Sequence, residues 1–246
     1  MSDKIKLTGR SAIITGGSRG IGFAIAAALR SAGANVLICG RSAGALDAAA
    51  ARLATVAVST KAGRVFFIVS DVRSPEQAQS LVDAAIEQMG GVDILVNNAG
   101  VGRFLPLTDL TVKDWQEIID TNLSGVFYSC RAVIPAMRRC GGGWIINVSS
   151  LAGKHPFATG TAYCASKAGL NAFTESLMQE VRGDGIRVSC VLPGSVNTEF
   201  AGGEPSEEAE WKLTPSDVAR VVVDLLCHPS RSLPSRVELR PSMPKK

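Results

Sequence analysis

The chain has 246 residues, of which 46% are hydrophobic and 20% charged, and its formal net charge is +4. No segment approaches the roughly 18 consecutive apolar residues that a membrane-spanning helix needs, and lysine and arginine are dispersed rather than gathered into a run that would bind nucleic acid. The six cysteines are isolated, with neither a CxxC pair nor a Cys/His cluster at metal-ligand spacing, so the composition predicts a globular protein with reduced cysteines and no metal site.

The first ten residues alternate charged and apolar side chains. A secretory signal has instead an uninterrupted apolar stretch followed by a cleavage site with small residues. We therefore expect a cytoplasmic protein.

Short apolar runs rich in β-branched residues alternate with longer stretches of helical spacing or Ala-rich composition. The predicted strands are residues 12–15, 35–39, 64–69, 93–97, 144–148, 186–192 and 237–239. The predicted helices are residues 21–31, 43–60, 75–89, 111–139, 161–181 and 215–227. This alternation is typical of a parallel sheet with helices on both faces. No linker or repeat divides the chain, so residues 1–246 are predicted to form a single doubly wound α/β domain with a seven-stranded sheet.

A glycine-rich turn follows the first predicted strand and opens the first predicted helix, with the sequence Thr-Gly-Gly-Ser-Arg-Gly-Ile-Gly at residues 15–22. Glycine allows close backbone approach, and a helix N-terminus offers free N–H groups and partial positive charge to a phosphate. In this context the motif predicts a dinucleotide site, with an ordinary glycine-rich turn as the alternative. The residues predicted to bind the cofactor here are Gly16, Ser18, Arg19, Gly20, Ile21 and Gly22.

The second predicted strand ends Cys-Gly-Arg-Ser, which places Arg41 where an NAD-binding protein of this fold carries an acidic residue for the ribose 2′-hydroxyl. A guanidinium suits a 2′-phosphate instead, because it neutralises charge and offers forked donors. Arg19 supplies a second cation inside the glycine turn. The pair predicts NADP(H) as the cofactor, and two solvated surface arginines are the alternative.

Tyr163 and Lys167 are four residues apart in a predicted helix, which puts both side chains on one face. A free phenol has a pKa near 10, and a nearby ammonium favours the phenolate. The pair is therefore predicted to exchange protons, with Lys167 lowering the pKa of Tyr163. A buried core tyrosine and a surface lysine are the alternative interpretation.

Ser149 and Ser150 follow the fifth predicted strand. Adjacent side chains along a strand point to opposite faces, so only one of the two should reach a site. The spacing to Tyr163 favours Ser150.

Taken together, these motifs resemble the short-chain dehydrogenase/reductase family over nearly the whole chain. The matching segments are residues 15–22, Asn-Asn-Ala-Gly at 97–100, Asn122, Ser150, Tyr-Cys-Ala-Ser-Lys at 163–167 and Pro-Gly at 193–194. The resemblance implies a Rossmann fold and an NADP(H)-dependent oxidoreductase that moves a hydride between nicotinamide and a carbonyl or alcohol carbon.

The resemblance also implies a role for each matching residue. Tyr163 is the acid or base, Lys167 also holds the nicotinamide ribose, and Ser150 binds the substrate oxygen. Asn122 anchors a water that connects Lys167 to solvent, although its alternative role is a buried amide that distorts a helix. The remaining cofactor contacts implied by the family are Asp71 and Val72 at the adenine, Asn98 near the ribose, and Val196 and Thr198 at the nicotinamide. A simple Pro-Gly turn is the alternative for the last segment.

Within the family the chain is most similar to 3-oxoacyl-acyl-carrier-protein reductases, but its C-terminus and its short substrate loop, at about residues 195–213, depart from theirs. The expected substrate is therefore a generic carbonyl compound or alcohol, with an acyl thioester as one candidate. A non-catalytic dinucleotide sensor or scaffold is the competing hypothesis, and a sugar epimerase or dehydratase would need a longer C-terminal region. The family resemblance implies a homodimer or homotetramer. Trp115, Phe127 and Phe173 are predicted to lie in the core or at a subunit interface.

Overall fold

The computed structural model describes residues 7–56, 62–203, 206 and 209–243. Its centre is one seven-stranded sheet in the order β3-β2-β1-β4-β5-β6-β7, and every neighbouring pair of strands is parallel. The strands are β1 (Ser11–Thr15), β2 (Asn35–Gly40), β3 (Val65–Val69), β4 (Ile94–Asn97), β5 (Gly143–Val148), β6 (Ile186–Pro193) and β7 (Arg236–Leu239). The predicted doubly wound single-domain fold is confirmed, with strand ends shifted by one residue.

Helices cover both faces of the sheet. They are α1 (Gly20–Ser31), α2 (Ala43–Thr55), α3 (Pro75–Met89), α4 (Val112–Ile119), α5 (Gly125–Arg139), α6 (Thr161–Val181) and α7 (Pro215–Leu226). Strand alternation explains why two cores form, because successive residues of β2 point to opposite faces. Val36 and Ile38 join a core with α1, α2 and α7, whereas Leu37 and Cys39 join a core with α3, α5 and α6.

The predicted helix over residues 111–139 begins at its N-cap Thr111 but is interrupted. Asp120–Ser124 forms a π-helical turn between α4 and α5. The cause is Asn122, whose side chain is fully buried and hydrogen-bonds to the backbone of Val101 instead of facing solvent. A π-turn accommodates the extra residue without ending the helix.

Two further predictions differ from the structure in part. The predicted helix over residues 43–60 ends at Thr55, and residues 57–60 lie outside the described residues. The predicted substrate loop at about residues 195–213 contains a short 3₁₀ turn, Phe200–Gly202, and its residues 204, 205, 207 and 208 lie outside the described residues. Residues 241–243 form no helix or strand.

The strand order reverses between β1 and β4, which are neighbouring strands near the centre of the sheet. In open parallel sheets ligands bind in the crevice that this reversal opens at the carboxyl ends of the strands. Every site residue predicted from the sequence lies in a loop or helix beyond one of those ends or in a helix that packs beside them. Within the described part of the chain, no helix has the length and apolar character to cross a bilayer.

Candidate active site

The glycine turn after β1 is tightly packed against the end of β4. Gly16 has a φ of 64°, and a Cβ on it would lie 2.9 Å from Ala99 Cα. A Cβ on Gly22 would overlap the carbonyl oxygen of Gly16 and lie 2.5 Å from Asn98 Nδ2. Glycine is therefore required here both for the left-handed backbone and for the close approach of α1 to the turn.

Asn98 and Thr15 hold this turn in place. Asn98 Nδ2 donates to the carbonyl oxygens of Thr15 at 3.0 Å and Gly16 at 3.2 Å. The Thr15 hydroxyl accepts hydrogen bonds from the backbone N–H groups of Asn98 and Ala99, each at 3.0 Å. The structure thus places the Asn98 side chain behind the glycine turn, where it shapes the turn; its predicted position near a ribose stays a prediction.

The start of α1 fits the phosphates of a dinucleotide. Its N-cap residue, Arg19, makes no side-chain hydrogen bond to the helix, and its first turn contains no acidic residue. By contrast, α2, α3, α4 and α7 are each capped by a serine or threonine side chain. Among the described residues, no N-cap side chain occupies the free N–H groups at the start of α1, so these groups and the positive end of the helix dipole can bind an anion.

Both predicted cationic residues are exposed, and each one pairs with an acidic residue. Arg19 Nη1 lies 2.9 Å from Glu199 Oε2 in the loop after β6. Arg41 Nη1 lies 3.5 Å from Glu117 Oε1 on α4. Glu117 also lies 3.6 Å from Arg103 and 4.0 Å from Arg73, so one carboxylate serves three guanidinium groups.

Asp71, in the loop after β3, forms an ion pair with Arg73. Its carboxylate accepts hydrogen bonds from Arg73 Nε at 3.0 Å and Nη2 at 2.6 Å. These hydrogen bonds hold the pKa of Asp71 below its ordinary value. The neighbouring Val72 is buried and packs against the start of α5, where a Cβ on Gly125 would lie 3.0 Å from its side chain. The adenine contacts predicted for Asp71 and Val72 stay predictions.

Tyr163 and Lys167 lie on one face of α6, as their spacing predicts. Both side chains are buried, with 9% and 4% exposure, and Lys167 Nζ lies 5.9 Å from the centre of the Tyr163 ring. The ammonium donates to the carbonyl oxygen of Val148 at 2.9 Å, at the end of β5. The Tyr163–Lys167 pair thus lies directly beyond the carboxyl edge of the sheet.

Burial dominates the ionisation of both groups. It raises the pKa of Tyr163 to about 12, and the Ser150 hydroxyl acts in the opposite direction. Burial also lowers the pKa of Lys167 to about 8, because the interior disfavours the ammonium. In the chain alone, Tyr163 is therefore a neutral phenol at neutral pH, and the predicted lowering of its pKa by Lys167 stays a prediction.

The two serines after β5 have different surroundings. The Ser149 hydroxyl is buried and bonds to Asn171 Oδ1 at 2.6 Å and to the carbonyl oxygen of Lys167 at 3.3 Å. The Ser150 hydroxyl accepts a hydrogen bond from the N–H of Ala152 at 3.1 Å. It also forms a hydrogen bond with Tyr163 that works to lower the pKa of the phenol. Ser150 is thus the serine beside the phenol, which supports the choice made from spacing.

Asn122 links three parts of the site. Its Oδ1 accepts from Val101 N at 2.8 Å, and its Nδ2 donates to Val101 O at 2.9 Å and to Ser166 Oγ at 3.0 Å. A Cβ on Gly100 would lie 3.4 Å from Asn122 Oδ1 and 3.8 Å from Lys167 Nζ. The side chains of Asn122 and Lys167 thus both lie next to Gly100. The relay water stays a prediction.

The loop after β6 reaches the glycine turn. The methyl group of Thr198 would lie 3.5 Å from a Cβ on Gly20, and its hydroxyl accepts from Phe200 N at 3.3 Å. Val196 pairs with Leu213 in an isolated bridge that closes the base of the loop. The segments predicted to hold the pyrophosphate and the nicotinamide of a dinucleotide therefore lie next to each other.

Comparison with known proteins identifies the family. The family model described as short chain dehydrogenase matches residues 10–209. The chain belongs to the short-chain dehydrogenase family. This confirms the resemblance inferred from the motifs.

Three relatives of this short-chain dehydrogenase are informative. A 3-oxoacyl-[acyl-carrier-protein] reductase of Chlamydia pneumoniae is 37% identical over 230 residues, which cover 90% of this chain and 91% of the relative. An alcohol dehydrogenase of the archaeon Thermococcus sibiricus, solved with 5-hydroxy-NADP, has a TM-score of 0.87 and 30% identity, covering 96% and 99% of the two chains. A metagenomic short-chain oxidoreductase solved with NADP has a TM-score of 0.83 and 36% identity, covering 97% and 99%.

Sequence reasoning missed several residues of this short-chain dehydrogenase site. Glu117 and Glu199, which hold the two arginines, are separated from them by long stretches of chain and carry no motif. Three phenylalanines near Tyr163, at positions 104, 157 and 200, lie in three different loops. Only the strand order, which gathers those loops at one edge of the sheet, could have indicated that they meet.

Proposed function

We propose that this short-chain dehydrogenase is an NADP(H)-dependent oxidoreductase acting on a carbonyl compound or secondary alcohol. The observation that carries the proposal is the buried Tyr163–Lys167 pair of α6, which lies beside Ser150 and beyond the same sheet edge as the glycine turn. A phenol, an ammonium and a hydroxyl in one crevice can bind an oxygen atom and move a proton to or from it.

The nicotinamide of the bound cofactor supplies or accepts the hydride. Tyr163, held as a neutral phenol, donates a proton to the carbonyl oxygen during reduction and takes one from the alcohol in the reverse direction. The Ser150 hydroxyl binds the same substrate oxygen. Lys167 holds the ribose and favours the phenolate once the proton has left, since a nearby ammonium stabilises that charge. Asn122 fixes the backbone around Gly100 and anchors the relay water.

NADP(H) is the cofactor we propose. The uncapped start of α1 and the glycines at 16, 20 and 22 suit the pyrophosphate, while Arg41 and Arg19 suit the 2′-phosphate. Ser18, Ile21, Asp71, Val72, Asn98, Val196 and Thr198 complete the proposed contacts. Two structural relatives, which are complexes with 5-hydroxy-NADP and NADP, support the same choice.

The proposed substrate is a small carbonyl compound or alcohol that binds beside the substrate loop at about residues 195–213. Acyl-thioester reduction, the activity named for the Chlamydia relative, is a candidate that a substrate panel would test. A cytoplasmic location stays an expectation from the sequence.

The test is a comparison of the wild type with Tyr163→Phe and with Tyr128→Phe, the only other tyrosine in the chain. NADPH oxidation is followed with 3-oxoacyl thioesters, diketones, quinones and aldehydes, and NADPH binding by the fluorescence of the reduced cofactor. Tyr163→Phe should bind NADPH as the wild type does and lose roughly two to four orders of magnitude in kcat, because the proton donor is gone. Tyr128→Phe should be unchanged.

Two results would contradict the proposal. A near-native rate for Tyr163→Phe would remove this residue from the mechanism. NADPH binding by the wild type with no turnover across the whole panel would favour the competing function, a dinucleotide sensor that lacks the chemistry.

A further inference from the structure

Two phenylalanine rings contact the ring of Tyr163, and a third packs against one of them. The ring of Phe104 lies 5.6 Å from that of Tyr163 and nearly perpendicular to it, and the ring of Phe200 lies 5.5 Å away. Phe157 packs edge-on against Phe104 at 5.5 Å. We call these three residues the phenylalanine rim. Each comes from a different loop, after β4, after β5 and after β6.

The rim is fitted closely to its backbone. A Cβ on Gly102 would lie 2.8 Å from the Phe200 ring and 3.3 Å from the Phe104 ring. A Cβ on Gly160 would likewise lie 2.7 Å from the Phe157 ring. The two loops that carry Phe104 and Phe157 are joined by a hydrogen bond of 3.0 Å from Leu105 N to Thr159 O. The rings are therefore held in position by glycines and by main-chain bonding.

Much of the apolar surface of the rim remains open. The exposed fractions of Phe104, Phe157 and Phe200 are 41%, 45% and 39%. Removing apolar surface from water is favourable, so a cluster of three half-exposed aromatic rings indicates a surface to which an apolar ligand can bind. Because Phe104 and Phe200 contact Tyr163, the proposed proton donor, a molecule that covers these two rings lies next to the reacting oxygen.

Charged residues adjacent to the rim in sequence are paired away from it. Arg103, before Phe104, lies against Asp114 and Glu117 of α4. Glu199, before Phe200, lies 2.9 Å from Arg19. His155 lies 2.9 Å from Arg240. Arg103, Glu199 and His155 are therefore each occupied by a partner other than the three rings.

We propose that the phenylalanine rim selects uncharged carbonyl substrates with an aromatic or bulky apolar group beside the carbonyl. This inference rests on the proposed function, since it assigns the substrate class of that same site. The rings supply apolar area and edge-to-face contacts to a ring of the substrate. A charged substrate group would lose its hydration at the rim without gaining a partner.

The first measurement compares kcat/KM for 1-phenyl-1,2-propanedione, 2,3-butanedione and acetoacetyl-coenzyme A. The wild type should prefer the aryl diketone over the other two. Phe104→Ala and Phe200→Ala should each lower kcat/KM for the aryl diketone by about tenfold, mainly through KM, because they remove apolar contact. Their effect on 2,3-butanedione should stay within about twofold. Phe200→Leu, which keeps an apolar side chain, should recover part of the loss.

Phe67→Ala is the matched control. Phe67 lies on the edge strand β3 with 39% exposure, the same as Phe200, and should show wild-type preferences. Equal loss for both diketones in the rim variants would overturn the inference. A wild-type preference for acetoacetyl-coenzyme A would overturn it as well.

A binding measurement separates this inference from the proposed function. Saturation-transfer NMR with acetophenone and acetone, in the presence of NADPH and with Tyr163→Phe, reports contact without chemistry. Acetophenone should bind more tightly than acetone, and Phe104→Ala should abolish this difference. That result supports the rim even if the wild type turns over no substrate. In that case the proposed function alone fails. Turnover of diketones without any aryl preference overturns the rim alone.

Discussion

Lys167 is a buried ammonium whose pKa burial lowers from 10.5 to about 8. Because the unfolded chain holds this proton more firmly, the free energy of unfolding gains a contribution that rises with pH between about 8 and 10.5. The contribution amounts to roughly 3 kcal/mol at most. The thiols of Cys39 and Cys130 act in the opposite direction above their ordinary pKa, since burial raises the pKa of each to about 12.

We therefore predict that Lys167→Met removes an upward trend of stability with pH. The quantity to follow is the difference in free energy of unfolding between wild type and variant, obtained from urea titrations at pH 7, 8, 9 and 10. The contributions of Cys39 and Cys130 cancel in that difference, because Lys167 does not act on either thiol. Lys113→Met, at an exposed position of α4, should leave the pH dependence as it is. Parallel curves for wild type and Lys167→Met would contradict the prediction.

Arg41 is the residue that we propose to select NADP(H) over NAD(H). We predict that Arg41→Asp raises the Kd for NADPH by about 10- to 100-fold, since charge-assisted hydrogen bonds to a phosphate are lost. The Kd for NADH should change little, because it has no 2′-phosphate. Calorimetric titration with both cofactors measures this. Arg139→Asp, an exposed substitution at the end of α5, is the control; an equal loss for both cofactors would refute the assignment.

At the scale of single residues, some features of the site could be predicted from local sequence. The four-residue spacing of Tyr163 and Lys167 and the alternation of Ser149 and Ser150 follow from helix and strand geometry alone. The partners of Arg19 and Arg41 could not be predicted, because Glu199 and Glu117 are brought to them by the tertiary fold. The burial that sets the pKa of Tyr163 likewise depends on the loops packed over α6.

Among the secondary-structure elements, the strands were predictable because each is a short apolar run bounded by polar or glycine residues. The position of the break between α4 and α5 was not predictable, although a buried amide that distorts a helix was one interpretation of Asn122. What fixes the π-turn is the meeting of Asn122 with Val101 and Ser166, two residues that lie far away in the chain. One extra residue rotates the buried face of a helix by about 100°, but the apolar pattern of a single turn is too short to reveal it.

The phenylalanine rim shows the same limit for loops. Loop residues carry no periodic pattern, so nothing in the sequence joins Phe104, Phe157 and Phe200. The parallel topology does join them, because it gathers the loops after β4, β5 and β6 at one edge. Fold class therefore constrains where an active site lies more firmly than which side chains shape its opening.

For the whole molecule, we propose a homodimer or homotetramer built through α4, α5 and α6. Phe173 of α6 packs in the core, but Trp115 of α4 and Phe127 of α5 remain 40% and 45% exposed. Large apolar side chains on neighbouring helices are typical of a subunit interface.

We predict that light scattering gives a mass of two or four chains for the wild type. Phe127→Glu should shift the mass toward one chain, because a carboxylate would be buried at the interface without a partner. Phe67→Glu, on the opposite part of the molecule at β3, should keep the wild-type mass. A monomeric wild type would exclude the assembly.

The positions of the exposed thiols have a practical consequence. Cys140 and Cys227 are the exposed cysteines, and each caps the end of a helix that leads into the amino edge of the sheet. The other four are buried. A maleimide-coated electrode or bead would thus capture the molecule by the side remote from its crevice, leaving the opening turned toward the surrounding solution.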